Sequence, residues 1–314
     1  MYLYSMGYIE GGRTVSQWRN SRVLPCLFLC LSFLALSGSA QQPPSSTSST
    51  PPSDLFDRVV ANQKMSEAQL DQYERIERVE RRKSGSDSDP LDTKVWRLFP
   101  AGTAVDKIPL SGDGKPLSLE GYRSELEKLE KFLVWAAQDG AAQREAYAKA
   151  ERRRKERFDL IEATHQAFRF TFVGKESRGD RTLLRYSIAP NPKYRPTSRN
   201  TAIFTKVSGT IWIDEQSSQL AKVEGNVTED ISLALSLAKI YKGSHFMQER
   251  YEIAPGIWQP TYEQYDFDGR KFVSQFSIHE RTFYSNYKRV GLPKEAVEAV
   301  RIELSNLRAE PTAH

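Results

Sequence analysis

Alternation between apolar and polar positions dominates the second half of the sequence. Two runs of β-favouring residues, 209–214 and 220–225, are separated by a short polar turn, which is typical of a β-hairpin. Three further runs of the same character follow at 245–253, 257–267 and 271–282. The pattern predicts an antiparallel sheet over 207–290 with one strongly apolar, aromatic face.

Two segments of this predicted sheet need separate treatment. Asp268 and Gly269 form a strong two-residue turn signal, so we expect a hairpin turn there. Residues 231–237 alternate aliphatic with small side chains, which fits either a strand with one aliphatic edge or a short buried helix. Periodicity does not decide between these two structures.

Helical periodicity marks much of the remaining chain. Apolar residues recur at three- and four-residue steps over 117–167, and Asp139-Gly140 interrupts them, so we predict two consecutive helices. Shorter helices are expected at 54–64, 198–206 and 293–307. Strand pairs are expected at 70–82 with 94–99 and at 168–173 with 183–188.

The first 40 residues have the layout of a secretory signal peptide. A basic region with Arg13, Arg19 and Arg22 precedes the apolar run 24–36, and small residues lead to a cleavage site after Ala40. The apolar run is shorter than the roughly 20 residues that a membrane-spanning helix needs. We therefore expect an exported chain with no stable transmembrane span after cleavage. A disordered Pro/Ser/Thr-rich linker is predicted next, at 41–53.

Charge and cysteine content narrow the class of partner. The net charge is +5, and it is +3 without the first 40 residues, which hold three arginines and one glutamate. Cys26 and Cys30 lie in the predicted signal peptide, so we expect no disulfide in the mature chain. Export argues against a nucleic-acid partner. The basic run 152–157 fits either an anion-binding patch or, as we favour, a solvated helix face with partners such as Glu151 and Lys155.

No arrangement of residues in the sequence predicts catalysis. The four histidines, His165, His245, His279 and His314, have no second ligand at helical or strand spacing, so no metal site is predicted. A Gly-x-Ser-x-Gly nucleophile turn is absent, and so is a glycine-rich phosphate loop. We therefore expect neither an enzyme nor a bound cofactor.

The aromatic face of the sheet is the remaining candidate for function. Either the helices of 117–167 cover it as an ordinary core, or a curved sheet and a helical lid enclose an apolar cavity that binds lipid or acyl chains. The alternation of residues leaves both structures open. The residues expected to line such a cavity are Ile211, Ile213, Val223, Leu233, Leu235, Leu237, Phe246, Trp258, Tyr262, Phe272, Phe276 and Ile278.

The first hairpin of the sheet also carries a family resemblance. Its strands, Gly-Thr-Ile-Trp-Ile-Asp at 209–214 and Leu-Ala-Lys-Val at 220–223, resemble the signature hairpin of outer-membrane lipoprotein-sorting proteins, the LolA/LolB-like group. The resemblance covers mainly 168–290. It implies an α+β fold in which a single curved antiparallel β-sheet, an unclosed half-barrel, has helices covering its concave face.

We predict a LolA-like domain at 54–290, followed by a C-terminal helix and tail at 291–314. The charged helical insertion at 117–167 and the Pro-rich linker depart from the family pattern. The resemblance also implies a function. The implied protein is periplasmic and non-enzymatic, and it holds lipid or the acyl chains of a lipidated protein in outer-membrane lipoprotein sorting. The alternative is an envelope interaction or sensor module with the same fold, a filled core and a protein partner.

Overall fold

One large antiparallel sheet organises the molecule. The computed structural model describes residues 54–83, 89–112, 115–233 and 238–309. The predicted signal peptide, the linker 41–53, Leu235 and Leu237 lie outside these residues. The strands are β1 Tyr73–Arg81, β2 Asp92–Pro100, β3 Val105–Gly112, β4 Lys115–Pro116, β5 Phe168–Arg178, β6 Arg181–Pro190, β7 Val207–Asp214, β8 Leu220–Val227, β9 Ile231–Leu233, β10 Ala238–Ile240, β11 His245–Ala254, β12 Ile257–Lys271 and β13 Ser274–Arg289.

The strand order shows that the sheet is open. The strands follow the order β4-β3-β2-β1-β13-β12-β11-β8-β7-β6-β5, and β10 pairs with both β12 and β9. Each of these pairings is antiparallel. The terminal strands β4 and β5 do not pair with each other, so the described part of the sheet does not close. The predicted α+β fold with a single unclosed sheet, an open half-barrel, is confirmed.

The helices lie where the hydrophobic periodicity places them. They are α1 Leu55–Leu70, α2 Leu119–Ala136, α3 Ala141–Ala167, the short α4 Arg199–Ala202 with a 3₁₀ turn at Ile203–Lys206, and α5 Pro293–Ala309. Ser118 caps α2, because its hydroxyl accepts a hydrogen bond from the Gly121 N–H at 3.1 Å. The predicted break at Asp139-Gly140 separates α2 from α3 and is confirmed.

Two separate cores lie against the sheet. In the main core, α1 and α3 contribute residues such as Leu55, Val59 and Leu160, which pack with inward residues of β6, β7, β8, β11 and β12. In the end core, α2 and α5 pack against β2 and β3, around Phe99 and Ile108. The helices therefore cover the sheet in two groups, and α1 and α3 are the group that faces the predicted hairpin region.

The predicted turn at Asp268-Gly269 is wrong. Both residues lie inside β12, and the hairpin to β13 turns at Phe272 and Val273, with Phe272 at a positive φ of 54°. Gly269 serves a different purpose, because a Cβ at this position would collide with the carbonyl oxygen of Lys239 in β10. The glycine permits close approach of a neighbouring backbone, a second common role of glycine in strands.

None of the helices in the described ranges combines the length and apolar composition needed to cross a bilayer. The ambiguous segment 231–237 begins as a strand, β9, and its remaining residues lie outside the described ranges.

Candidate functional site

Six of the predicted lining residues share the covered face of the sheet. Ile211, Ile213, Val223 and Phe246 belong to the main core, and Phe276 and Ile278 pack against it. The side chains of Ile213, Val223 and Phe246 have no exposed surface. These residues therefore form a packed interior beneath α1 and α3 in this conformation, as in an ordinary core.

Three other predicted lining residues lie elsewhere. Trp258 packs in a small separate cluster with Leu183, Trp212 and Ala221. Tyr262 packs on Phe283, with ring centroids 5.2 Å apart, and its side chain alternates with that of the inward-facing Tyr265. Phe272 is 55% exposed because it occupies the β12–β13 turn. Leu235 and Leu237 are outside the described residues, and only the backbone of Leu233 is described.

A small apolar cleft lies between helix α1, helix α3 and strands β5 to β8. Because α1 covers this cleft, it is called the lid helix below. The volume of the cleft is about 50 Å³. Phe56 from α1 packs in it against Phe170 and Tyr186, at ring-centroid distances of 4.1 and 5.1 Å. Ile211 is the predicted lining residue that borders this cleft. The cleft is too small for an acyl chain while α1 stays in place.

A larger and more polar cavity, the inner cavity, lies beside the main core. Its volume is about 180 Å³. The walls come from α1, α3, the 3₁₀ turn and strands β1, β11, β12 and β13. The residues around it are Glu67, Leu70, Arg75, Arg157, Leu160, Ile161, Phe204, Gln248, Arg250, Pro260, Glu263, Tyr284 and Tyr287. The inner cavity therefore combines apolar walls with five charged side chains.

Arg250 is the most buried charge of the inner cavity. Its guanidinium donates to Gln248 Oε1 and to the Trp258 carbonyl, both at 3.1 Å. Its Nε is buried and finds no acceptor in the described structure. Burial lowers the pKa of Arg250 below its ordinary value, although Glu67, Tyr287 and Glu263 oppose that shift from a distance.

The two carboxylates of the inner cavity have other partners. Glu67 forms an ion pair with Arg157. Glu263 accepts hydrogen bonds from Gln248 Nε2 at 2.8 Å, Tyr265 Oη at 2.6 Å and Tyr284 Oη at 3.0 Å. Neither carboxylate forms an ion pair with Arg250 in the part of the chain that the structure describes.

A solvent-facing groove, the rim groove, adjoins the inner cavity. Its volume is about 330 Å³, and it shares Glu67, Leu70, Arg75 and Arg157 with the inner cavity. Lys107 and Arg153 add positive charge to its walls. The rim groove gives a polar route from solvent to the arginines.

The basic run 152–157 is engaged with the protein itself. Arg154 pairs with Asp71 at 2.6 Å and with Glu151 at 2.8 Å. Arg153 donates to the Thr103 carbonyl at 2.7 Å. The run therefore fastens α3 to α1 and to the loop before β3, and the favoured interpretation, a solvated face with intrahelical pairs, describes only part of it.

A Ser–His–Asp chain lies on the opposite face of β12 and β13. His279 Nε2 is 2.9 Å from Ser277 Oγ, and His279 Nδ1 is 2.9 Å from Asp266 Oδ1. Ser277 also donates its hydroxyl proton to Asp268. The Ser277 hydroxyl is therefore directed at Asp268. A serine nucleophile instead directs its hydroxyl proton to the histidine base, so this arrangement differs from a catalytic triad.

Across the described ranges, no cluster of His, Cys, Asp and Glu side chains could hold a metal ion.

Polar residues at inward-facing positions of β11 and β12 indicate the inner cavity in the sequence, although the sequence analysis considered only the aromatic residues of these strands. Phe246, Gln248 and Arg250 occupy alternate positions of β11, so they point to the same face of the sheet. Glu263 and Tyr265 have the same relation in β12. The inward face changes from aromatic to charged along each strand, and polar residues in phase with a core stripe indicate a site.

Several solved structures are similar to this chain. The crystal structure of LolA superfamily protein NE2245 from Nitrosomonas europaea is 9% identical, covers 79% of this chain and 97% of its own, and has a TM-score of 0.28. A putative outer membrane lipoprotein-sorting protein domain from Vibrio parahaemolyticus is 9% identical, covers 74% and 93%, and has a TM-score of 0.27. These matches include the family that the sequence resembles.

A third solved structure extends this set. A DUF1329 family protein from Desulfovibrio piger is 11% identical, covers 76% of this chain and 94% of its own, and has a TM-score of 0.26. No family model matches the sequence, and no curated protein matches it either.

Proposed function

We propose that this protein is a non-enzymatic binding protein that holds a lipid, or the acyl chains of a lipidated protein, between the concave sheet face and helices α1 and α3. The observation that carries the proposal is the placement of the cleft and the inner cavity side by side beneath these two helices. The sequence resemblance to lipoprotein-sorting proteins agrees with this function. The predicted signal peptide and cleavage after Ala40 place the protein in the periplasm in this proposal.

Ligand entry requires α1 to move, because the closed interior is packed. The lid helix contributes Leu55 and Val59 to the main core. Full burial of such side chains stabilises by about 1.5–3 kcal/mol each. A buried methylene group contributes about 0.8 kcal/mol, so an acyl chain of about ten methylenes can offset the contacts that it displaces.

The polar contacts of α1 are also few enough to be replaced. Asn62 Nδ2 donates to the carbonyl oxygens of Ser217 and Ser218, both at 3.0 Å. Gln259 Nε2 donates to the Ser66 carbonyl at 2.7 Å. These bonds join α1 to the β7–β8 turn and to β12, and each contributes about 1 kcal/mol net.

The test is direct measurement of bound lipid. The purified protein should carry lipid that mass spectrometry identifies after solvent extraction, and it should take up a fluorescent fatty acid. A lipid-free protein that also takes up no fluorescent fatty acid would contradict the proposal.

A second function is favoured by the packing of the main core. Because Ile213, Val223 and Phe246 are fully buried, the same fold could act as an envelope interaction or sensor module that never opens. The double variant Asn62→Cys, Ser217→Cys distinguishes the two functions, because a disulfide bridge between the new cysteines would lock α1 to the β7–β8 turn. A carrier loses fatty-acid uptake when the bridge forms and regains it on reduction, whereas an interaction module binds its protein partner in both states.

A further inference from the structure

The charges of the inner cavity do not balance among the described side chains. Arg75, Arg157 and Arg250 face Glu67 and Glu263, and Glu67 is already paired with Arg157. Burying a charge without a counter-ion is costly, so proteins seldom keep one without a purpose.

Arg250 shows this imbalance most clearly. Its side chain belongs to a residue that is only 6% exposed, and its two hydrogen bonds reach neutral acceptors, an amide and a peptide carbonyl. Its Nε retains a donor without an acceptor in the described chain. A guanidinium held in place with a donor to spare is prepared to bind an oxyanion.

Arg75 offers a second donor at the same cavity. Its Nη1 is buried without an acceptor among the described residues, and its guanidinium carbon lies 5.7 Å from the ring centroid of Tyr284. The contact with the ring orients the guanidinium and leaves its donors available. Arg75 also borders the rim groove, so it lies where an anion would arrive from solvent.

We propose that the inner cavity binds the anionic headgroup of an amphiphile, a carboxylate or a phosphate, through Arg250 and Arg75, with the tail directed along the apolar cleft under α1. This inference rests on the proposed function and adds the chemical class of the ligand. Ile161 carries the connection, because it borders both the inner cavity and the cleft.

The size of the inner cavity fits a headgroup, and the tail enters the cleft only when α1 moves. The inner cavity, at about 180 Å³, is close to the roughly 150 Å³ of an engineered cavity that binds benzene. It therefore has room for a headgroup and lacks room for a chain. Leu160 and Phe204 give it an apolar wall on the side of the main core, where the first methylene groups would pack.

The first experiment uses the unaltered protein and three ligands. Equilibrium dialysis at neutral pH compares a medium-chain fatty acid, the alcohol of the same chain length, and inorganic phosphate. We expect the acid to bind about 10- to 100-fold more tightly than the alcohol, which is the discrimination that charge-assisted hydrogen bonds provide. Phosphate should bind much more weakly than the acid because it lacks a tail.

Each of the other outcomes contradicts either the headgroup site alone or the lipid-binding function as well. Equal binding of acid and alcohol would overturn the headgroup site and leave the lipid-binding function standing. Phosphate binding as tight as that of the acid would assign the cavity to a free anion. Binding of neither amphiphile would contradict the lipid-binding function and the headgroup site together.

The second experiment uses variants with a matched control. Arg250→Met and Arg75→Met should each remove most of the preference for acid over alcohol, measured as the ratio of the two dissociation constants. Arg301→Met is the control, because Arg301 is an exposed arginine paired with Glu130 on the distant end core. If both cavity variants keep the full preference for the acid, the proposal is overturned.

Discussion

Two arginines with little solvent exposure have opposite surroundings in this protein. Arg97, at the end core, donates to Glu74 Oε2 at 2.7 Å, to Tyr122 Oη at 2.6 Å and to Glu303 Oε1 at 2.9 Å. Arg250, at the inner cavity, has only neutral acceptors. Burial alone would lower the pKa of either group. The partners of Arg97 raise its pKa above the ordinary value, whereas the pKa of Arg250 stays lowered.

The difference separates structural charge from charge held for a ligand. Arg97 joins four elements, because Glu74 lies on β1, Tyr122 on α2 and Glu303 on α5. Tyr122 Oη in turn donates to Glu303 at 2.7 Å, and burial raises the pKa of this phenol to about 12, so it remains a donor at neutral pH. The protein itself supplies charged partners for Arg97, whereas in the described chain Arg250 has no carboxylate partner and its Nε has no acceptor.

The largest effect is expected from Arg97→Met. The substitution leaves buried Glu74 with only the exposed Lys288, at 3.8 Å, as a cationic partner, and breaking a buried ion pair in this way costs about 3–5 kcal/mol. Urea unfolding measures the loss in free energy of unfolding. Arg301→Met, which breaks an exposed pair, should cost at most about 1 kcal/mol. Equal losses for the two variants would remove the distinction between the structural network and surface charge.

Asp266→Asn tests a third charge, placed on the face opposite the inner cavity. Burial alone would raise the pKa of Asp266, but His245, at 3.7 Å, and hydrogen bonds from Arg281 and His279 lower it below the ordinary value. The variant should lose about 2 kcal/mol at neutral pH. Because a lowered carboxylate pKa stabilises above the unfolded value near 3.9, the difference from wild type should persist above about pH 4 and vanish as the pH falls through the folded pKa.

Thermal unfolding across this pH range makes the measurement. Asp268→Asn is the control, because this neighbouring carboxylate is exposed and contacts Ser277. A constant difference between wild type and Asp266→Asn down to pH 2 would show that the carboxylate charge is not what stabilises the fold.

Asn62→Ala tests how the cavity side of the molecule is closed. Removing two hydrogen bonds to the β7–β8 turn should cost about 2 kcal/mol and speed the uptake of a fluorescent fatty acid in stopped flow. Asn191→Ala is the matched control, since it removes a comparable bond to the Gln166 carbonyl, at 2.9 Å, away from the lid helix. Faster uptake in both variants would attribute the effect to general loosening of the fold.

Arg250→Met should change the stability of the ligand-free protein least. Removing a buried charge that lacks a counter-ion offsets the loss of two hydrogen bonds, so we expect a net change within about 1 kcal/mol. Urea unfolding beside Arg97→Met makes the comparison. A loss as large as that of Arg97→Met would assign Arg250 to the structure of the fold.

Much of the fold was predictable because local signals and packing agree. The hairpins β5–β6 and β7–β8, and the two long helices separated at Asp139-Gly140, were all expected from periodicity and turn residues. The turn predicted at Asp268-Gly269 was wrong because the same dipeptide that favours a turn also suits a strand that another backbone approaches closely. Only the position of β10 distinguishes these cases, and that position is set by long-range pairing.

The candidate site was less predictable for a related reason. Sequence alternation identified the face that Ile213, Val223 and Phe246 share, but it did not distinguish a filled face from a hollow one. The inner cavity gathers Arg75, Arg157 and Arg250 from three elements that are far apart in the chain. No local sequence pattern predicts that these three arginines lie around one cavity. Within β11, however, the spacing of Phe246 and Arg250 does indicate that both side chains point to the covered face.

The open edge of the sheet at β5 has a consequence for how this protein behaves in a crowded compartment. Phe172 and Val173 are 42% and 48% exposed on this strand, which has no neighbour on its outer side among the described strands. The pairing register with β6 shifts between Phe172 and Gly174. Such a bulge interrupts the hydrogen-bond ladder beside the exposed apolar residues, so the edge is a poor template for a second chain. The bulge makes β5 less regular, and this irregularity disfavours edge-to-edge association with another chain.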